Sequence, residues 1–348
     1  MLERKFEIGK IKRMGILAVA PIYSANNFDG KIVMFDKALR SKRFEVIEPR
    51  EKIVNGLKVY NALPYSVFIA CGMTIEGDSQ NRYSKHPCLI GPYSNTILPV
   101  NCAEQGQGLI RGSRYNASST IVIPSVRGGY RRDGSERGID RDQHNTWAQI
   151  DRTHTTTIMD GAAIRRRLAE MNNSEEHMTR ARDIELTTQS IVNRINPKRN
   201  YIKVDEDAEN DETVKQYREE IGKARDSQVG IVMALGVGDK TAFYTDIFGR
   251  RSMLRRVHPK LAKSFAILAA SYTKEGELGN VELKDVKNIN EDDISRFLEN
   301  YRDLGQEKQE QEHAGVGKLY VADGDIKASA LLYGKDLDQI VQITMKNN

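Results

Sequence analysis

The 348-residue sequence predicts an α+β protein, an antiparallel β-rich sheet or sandwich with a central helical segment packed against it. Short apolar runs rich in Val, Ile, Tyr and Phe fill the first 126 residues and return at the end of the chain. Helical periodicity is confined to the middle. Strands and helices do not alternate in βαβ units, which argues against a doubly wound nucleotide-binding fold.

The chain is expected to divide into three parts. Residues 1–126 form a β-rich part, 127–142 a Gly/Arg-rich loop, and 143–348 a helical segment with C-terminal strands, continuous with the first part in one fold. The predicted strands of the first part, separated by turn residues, are "FEIGKI", "GILAVAPIYS", "FEVIEP", "GLKVYNAL", "YSVFIACGMTI", "SNTILPV" and "STIVIPSV".

Helices are predicted next. "SEEHMTRARDIELTTQSIVNRI" has a capping serine and ends at a proline, and a further helix is expected at about 211–223. The acidic run "VDEDAENDE" between them predicts a solvated loop. The apolar stripe that begins after Ser252 predicts a helix with a kink or break at Pro259, and Asn290 is the predicted N-cap of the helix "EDDISRFLEN".

Strands flank these last helices. "QVGIVMALGVGDKTAFYTDIFG" predicts two buried strands joined by a hairpin turn at "GVGDKT". This turn lacks the GxxxxGK[ST] spacing of a phosphate-binding loop. "GKLYVADGDIKASALLYGKDLDQIVQITMK" predicts two or three closing strands connected through "ADGD" and "YGKD".

Charge and composition exclude several classes of function. The formal net charge is only +5, from 53 basic and 48 acidic residues, which argues against nucleic acid as a partner. No apolar run is long enough to span a membrane, and the N-terminus is charged where a signal peptide is apolar, so a cytoplasmic location without a membrane partner is expected.

Neither the cysteines nor the histidines form a recognisable site. Cys71, Cys88 and Cys102 are odd in number and widely spaced, so we expect reduced, buried thiols and no disulfide framework. The six histidines form no HExxH motif and no His/Cys cluster. The sequence therefore predicts neither a metal site nor a cofactor.

Two polar motifs stand beside apolar strands: "EGDSQNR" at 76–82 and "PVNCAEQG" at 99–106. Glu104 follows Cys102 by two residues, and a nearby carboxylate raises a thiol pKa, which disfavours Cys102 as a nucleophile. Arginines such as Arg82 and Arg111 flank the motifs. Because a guanidinium matches phosphate or carboxylate, they predict an anion site near 76–132; alternatively, they are solvated or ion-paired charges.

These motifs resemble a prokaryotic family named for its association with ADP-ribosylglycohydrolases and rhodanese–phosphatase-superfamily proteins. The matching positions are Gln80, Asn81 and Arg82 in the first motif, and Pro99, Val100, Cys102, Glu104, Gln105 and Gly106 in the second. "DQHNTWAQID" and "ASALLYGKDLDQI" also resemble family segments. The strand–strand–helix segment at 229–267 matches at Asp246, Phe248, Pro259, Lys260 and Leu261.

The sequence departs from the family pattern in two places. Gln107 and Gly108 stand where the pattern has Arg-Trp, so a ligand contact by that pair would differ here. The spacing before "SQNR" is shifted, which makes Glu76 a weaker match.

Two functional hypotheses follow. The resemblance implies a protein that binds, or also processes, an ADP-ribose-like or other phosphorylated nucleotide in NAD-linked metabolism, with Glu104 as base or hydroxyl acceptor. The ligand-binding residues would be Glu76, Gln80, Asn81, Arg82, Gln105 and Arg111. Whether the chain is an enzyme stays open. The alternative is a non-catalytic, self-associating scaffold, a homo-oligomer, in which the buried amides and Glu104 satisfy one another.

Overall fold

The fold is α+β and rich in antiparallel strands, as the sequence predicts. The computed structural model describes residues 6–24, 28–49, 55–77, 80–104, 110, 112–127, 143, 146–150, 152–153, 200–301, 315–335 and 338–347. The strands are β1 (Glu7–Ile8), β2 (Lys12–Met14), β3 (Leu17–Tyr23), β4 (Ile32–Met34), β5 (Phe44–Ile47), β6 (Gly56–Asn61), β7 (Ser66–Ile69), β8 (Met73–Gly77), β9 (Arg82–Ser84), β10 (Cys88–Ile90), β11 (Ser94–Cys102), β12 (Tyr115–Ile121), β13 (Gln228–Val237), β14 (Lys240–Phe248), β15 (Lys318–Asp323), β16 (Ile326–Tyr333) and β17 (Gln339–Asn347). The helices are α1 (Phe35–Arg40), α2 (Tyr201–Ala208), α3 (Glu212–Ile221), α4 (Arg251–Glu277) and α5 (Glu291–Glu299).

The largest sheet joins the two ends of the chain. Its order is β1-β3-β13-β14-β17-β16-β15, with β2 also paired to β3, and its pairings are antiparallel. β3 belongs to the first 126 residues and pairs with β13. In this pairing Ile22 lies opposite Gly230, and Leu17 lies opposite Leu235. The predicted β13–β14 hairpin is confirmed. Both the N-terminal and the C-terminal part of the chain therefore contribute strands to one sheet.

A second, six-stranded antiparallel sheet has the order β12-β8-β9-β11-β6-β5, and its two outer strands meet. The amide of Glu48, just after β5, donates to the carbonyl of Ser113 at 3.0 Å, and the amide of Gly112 donates to the carbonyl of Glu48 at 3.1 Å. Ile47 and Arg114 also form a bridge. These contacts close the sheet into a small barrel and pair main-chain groups that would otherwise lie at sheet edges.

Alternate residues of the barrel strands face its interior. The inward-facing apolar side chains are buried in one core and include Val46, Leu57, Val59, Ile75, Leu98, Val100 and Tyr115. Arg82 is paired with Ile75 across β9 and β8, so it points the same way. The barrel interior therefore contains a guanidinium with an exposed fraction of 0%.

A three-stranded sheet, β10-β7-β4, adds to the same core. β4 and β7 are parallel, whereas β7 and β10 are antiparallel. α1 follows β4 directly, and its Phe35 contacts Phe44 of the barrel edge-to-face, with ring centroids 6.0 Å apart. The core thus continues from the barrel interior across α1.

α4 runs unbroken through Pro259 for 27 residues, so of the predicted kink or break, the break is wrong. Proline removes one N–H donor from a helix. The helix continues because the turns on either side bury Val257, Leu261 and Phe265. In the described part of the chain, none of the helices combines the length and apolar character that crossing a bilayer requires.

The predicted cap of α5 is confirmed. The Asn290 side chain accepts from the amide of Asp293, and the Asp293 side chain accepts from the amide of Asn290.

The acidic run at 204–212 is not a loop, since α2 and α3 contain most of it. Asp205 of α2 is buried against Lys263 of α4 at 2.6 Å, so an ion pair offsets the repulsion expected from sequence. The helix predicted within 174–196 lies outside the described residues.

Candidate functional site

The two polar motifs meet at one end of the barrel. Arg82 begins β9 and Cys102 ends β11, and antiparallel pairing sets these residues opposite each other. Gln80 and Asn81 precede β9, and Glu104 follows β11, so both segments leave the barrel at the same end. Arg82 and Cys102, which are twenty residues apart in sequence, are in contact because β9 and β11 are neighbouring strands.

Gln80, Asn81, Arg82, Cys102 and Glu104 form a hydrogen-bonded group, the barrel-end cluster. The Gln80 side-chain amide donates to the Glu104 carbonyl, and Gln80 Oε1 accepts from Arg82 Nη1 at 2.7 Å. The main-chain amide of Asn81 donates to Glu104 Oε2 at 3.4 Å. Arg82 Nη1 also contacts Cys102 Sγ. The cluster holds the Glu104 segment against the start of β9.

Two residues outside the motifs complete the electrostatics of the barrel end. Arg82 Nη2 lies 3.8 Å from Glu48 Oε1, and both side chains are buried. The Tyr115 hydroxyl contacts Glu48 Oε2 and lies 3.3 Å from the Gln80 carbonyl oxygen. The barrel end thus carries one guanidinium, that of Arg82, and two carboxylates: Glu48 lies beside the guanidinium, and Glu104 lies at the amide of Asn81. The resulting negative balance disfavours a phosphate group and suits a ligand that offers hydroxyl donors.

Arg82 nevertheless keeps unused donors. Its Nε and Nη2 atoms are buried and have no hydrogen-bond partner among the described residues. Buried donors are ordinarily paired with protein or water. The exposed fractions are 2% for Glu104 and 7% for Gln80, and Asn81 is half-buried. Asn81 is therefore the most accessible predicted site residue of the cluster.

The thiols are unsuited to nucleophilic chemistry, as expected. Cys71, Cys88 and Cys102 are free and buried. Burial raises the pKa of Cys102, with Glu48 adding to the rise and Arg82 opposing it. Burial also raises the pKa of Cys88 to about 12. A thiol above its ordinary pKa forms little thiolate at neutral pH, so Cys102 serves as a contact for Arg82.

A comparison with protein families matches nearly the whole chain. The model of the ARG and Rhodanese-Phosphatase-superfamily-associated Protein domain, ARPP-1, covers residues 5–345. The chain belongs to this family. The match confirms the resemblance read from the two motifs. The family name suggests an association with ADP-ribosylglycohydrolase and rhodanese–phosphatase proteins. Neither curated proteins nor solved structures match the chain.

Glu76, another predicted site residue of this ARPP-1 chain, does not join the barrel-end cluster. Glu76 follows Ile75 on β8, so alternation directs it to the outer face of the barrel. There its charge acts on Lys260 of α4, whose pKa is lowered mainly by burial. Gln105 and Arg111 lie outside the described residues.

A residue that sequence reasoning missed supports the ARPP-1 motif from outside the barrel. Gln143 Oε1 accepts from the amide of Cys102 at 2.8 Å, and Gln143 Nε2 donates to the carbonyl of Cys102 at 2.9 Å. The side-chain amide of Gln143 thereby pairs with the main-chain groups of Cys102 as a neighbouring strand would. Gln143 belongs to the family-like segment "DQHNTWAQID", which was the available signal.

A second buried polar centre includes Asp246, one of the ARPP-1 positions noted in the sequence. Arg127 Nη1 lies 2.5 Å from Asp246 Oδ2, and Gln342 Nε2 donates to Asp246 Oδ1 at 3.1 Å. Burial raises the pKa of Asp246 although Arg127 and Gln342 act to lower it. Gly72 has φ of +77° and leaves space where a Cβ atom would collide with Arg127. This centre connects the end of β12 to the large sheet.

A resident metal site is not evident in the described ranges, where no group of three or more His, Cys, Asp or Glu side chains converges. The described side chains at the barrel end offer hydrogen bonding by amides, a guanidinium and carboxylates.

Proposed function

We propose that this chain binds an ADP-ribose-like nucleotide and that the barrel-end cluster recognises a ribose of that ligand. The family association supports the ligand class. The observation that carries the proposal is that Arg82 has two buried donors, Nε and Nη2, without a hydrogen-bond partner among the described residues, in the same hydrogen-bonded cluster as Glu104. A vicinal diol suits both kinds of group, since its oxygens accept from a guanidinium and its O–H groups donate to a carboxylate.

The electrostatic balance supports the sugar rather than the phosphates as the group bound at the barrel end. Two carboxylates accompany one guanidinium there, so a phosphate would meet net repulsion. In this arrangement Glu104 accepts from a ribose hydroxyl, and half-buried Asn81 provides the outer contact. Arg82 lies beneath these groups, bonded to Gln80 and fully buried, and offers its Nε and Nη2 donors to the diol oxygens from there.

The test compares ADP-ribose with ADP, which lacks the terminal ribose, by isothermal titration calorimetry. The proposal expects tighter binding of ADP-ribose. It also expects Glu104→Gln to reduce that preference by roughly tenfold, the value of one lost charge-assisted hydrogen bond. Gln keeps the size of Glu and can still accept from the amide of Asn81.

Glu45→Gln is the matched control, because Glu45 is an exposed barrel carboxylate paired with Arg114 at 3.5 Å. It should leave the preference for ADP-ribose unchanged. Equal affinity of the wild type for both ligands, or no binding of either, would contradict the proposal.

The non-catalytic scaffold is a second candidate that a specific observation favours. Gln80, Arg82 and Glu104 are buried and bonded to one another. Buried polar groups that satisfy one another stabilise and specify a fold without a ligand. Under this candidate, Glu104→Gln changes the free energy of unfolding while ADP-ribose shifts the melting temperature of neither protein, and sedimentation shows a self-associated wild type.

A further inference from the structure

An open cleft lies between α3 and the first half of α4, apart from the barrel end. Its volume is about 810 Å³, within the range of sites for small molecules. Lys215, Arg218 and Gly222 of the α3 side line one wall, and Arg255 and His258 of α4 line the other. On each helix the lining residues are spaced by three or four, so each helix presents one face to the cleft.

The cleft concentrates positive charge. Its lining includes Lys215, Arg218, Lys223 and Arg255, against only two carboxylates, Glu209 and Glu219. The positive charge is therefore local to the cleft lining, because the net charge of the whole chain is only +5.

The ion pairs that these cations make are weak competitors for a ligand. Arg218 lies 3.2 Å from Glu209, Arg255 lies 3.9 Å from Asp226, and Lys215 lies 2.6 Å from Glu212, but all six side chains are about half exposed or more. Exposed pairs of this kind contribute little, about 0–1 kcal/mol each. The guanidinium groups can therefore turn to an incoming anion at small cost.

His258 adds a different kind of group to the cleft wall. Its side chain is only 3% exposed, lines the cleft and makes no hydrogen bond to a described residue. Burial lowers its pKa to about 4, so the imidazole is neutral at physiological pH. A neutral imidazole offers one donor and one acceptor to a ligand. The wall thus combines cations with a buried, uncharged hydrogen-bonding group.

We propose that this cleft is a second ligand site, which binds a nucleoside diphosphate through Lys215, Arg218, Lys223 and Arg255 and hydrogen-bonds its nucleoside part at His258. Guanidinium and ammonium groups recognise phosphate oxygens, and the volume accommodates a molecule of this size. The inference does not rest on the ribose site, because the two sites share no residue.

The experiment titrates inorganic pyrophosphate and ADP into the full chain, at low and at high salt. Both should bind, and both should bind more weakly at high salt because the contacts are ionic. The double variant Arg218→Gln with Lys223→Gln should weaken both by roughly tenfold or more. Lys240→Gln, an exposed cation on the β13–β14 hairpin, is the matched control and should leave both affinities unchanged.

His258→Gln separates the two parts of the ligand. It should weaken ADP but leave pyrophosphate binding unchanged, because pyrophosphate has no nucleoside. In the unmodified protein, the NMR signals of the His258 ring should shift when ADP is added, a readout that does not depend on the folding of a variant.

Several results would overturn the cleft site: no binding of pyrophosphate or ADP at millimolar concentration, affinities unaffected by the double variant, or binding of oligonucleotides that strengthens with their length. Glu104→Gln distinguishes the two proposals. It should reduce the preference for ADP-ribose over ADP by roughly tenfold and leave pyrophosphate binding intact.

Discussion

Arg82 is the residue on which the barrel interior depends. Its guanidinium has no exposed surface, touches Gln80 and Cys102, and lies 3.8 Å from the Glu48 carboxylate. A buried ion pair contributes little net stability, but removal of one partner leaves the other as an uncompensated charge. The family motif therefore controls the stability of the barrel whether or not a ligand binds there.

Arg82→Met should destabilise the protein by about 3–5 kcal/mol, because Glu48 then keeps a buried charge without its partner. Urea unfolding measures the change. Adding Glu48→Gln to Arg82→Met should recover part of the loss. Arg114→Met, which removes an exposed pair with Glu45, should cost no more than about 1 kcal/mol. Similar losses for Arg82→Met and Arg114→Met would refute the role of Arg82.

His258 should make stability depend on pH. Its pKa is about 4 in the fold and about 6.5 in the unfolded chain, so between these values only the unfolded chain binds the proton. Stability should therefore fall as the pH is lowered from 6.5 to 4, by up to about 3 kcal/mol. His258→Gln should remove this component. Chemical denaturation of both proteins at several pH values measures it, and parallel curves would contradict it.

Sequence reasoning located part of the barrel-end cluster. Gln80, Arg82 and Glu104 were named from the motifs and the family resemblance, and the β9–β11 pairing brings them together. Glu48 and Tyr115 were not named, because their strands carry no local signal of a polar contact. They reach Arg82 only through barrel closure, which is a tertiary event.

Among the elements, α4 shows tertiary packing overriding local propensity. A proline in a helix interior costs about 3 kcal/mol, yet α4 continues through Pro259 between buried turns. α2 also shows tertiary packing overriding a local expectation. Charge repulsion predicted a loop there, but Asp205 of α2 pairs with Lys263 of α4 and the segment is helical. Neither the residues that pack around the Pro259 turn nor the Lys263 partner of Asp205 can be identified from the local sequence.

The cap of α5 is a local signal that did predict an element. Asn290→Ala should remove the half of the capping box that the Asn290 side chain makes with the amide of Asp293, and destabilise the protein by about 1 kcal/mol. Thermal unfolding gives the measurement. Asn288→Ala, an exposed change two residues earlier, should have little effect, and equal shifts for the two variants would argue against the cap.

At the scale of the whole molecule, the N-terminal and C-terminal parts of the chain are tied together. β3 pairs with β13, and Arg127 pairs with Asp246 across 119 residues of sequence. The individual strands were predictable from apolar runs and turn residues. Their order was not, because the order depends on which distant edges meet, and similar apolar runs do not specify partners.

The fragment 1–126 should not fold as an independent unit, because it lacks β13, the partner of the full length of β3, and it lacks Asp246. The complete chain should unfold in a single calorimetric transition. Circular dichroism and proton NMR of the fragment are the checks. A fragment with dispersed amide resonances, or two separate transitions of the full chain, would show that the two parts are autonomous.

β17 follows every other described strand in the chain, yet it lies between β14 and β16 in the large sheet. During synthesis, β14 and β16 therefore lack their shared partner strand until residues 339–347 have left the ribosome. Until then the nascent polypeptide displays two long unpaired strand edges, a surface on which chaperones would act and where stalled or prematurely terminated products would aggregate.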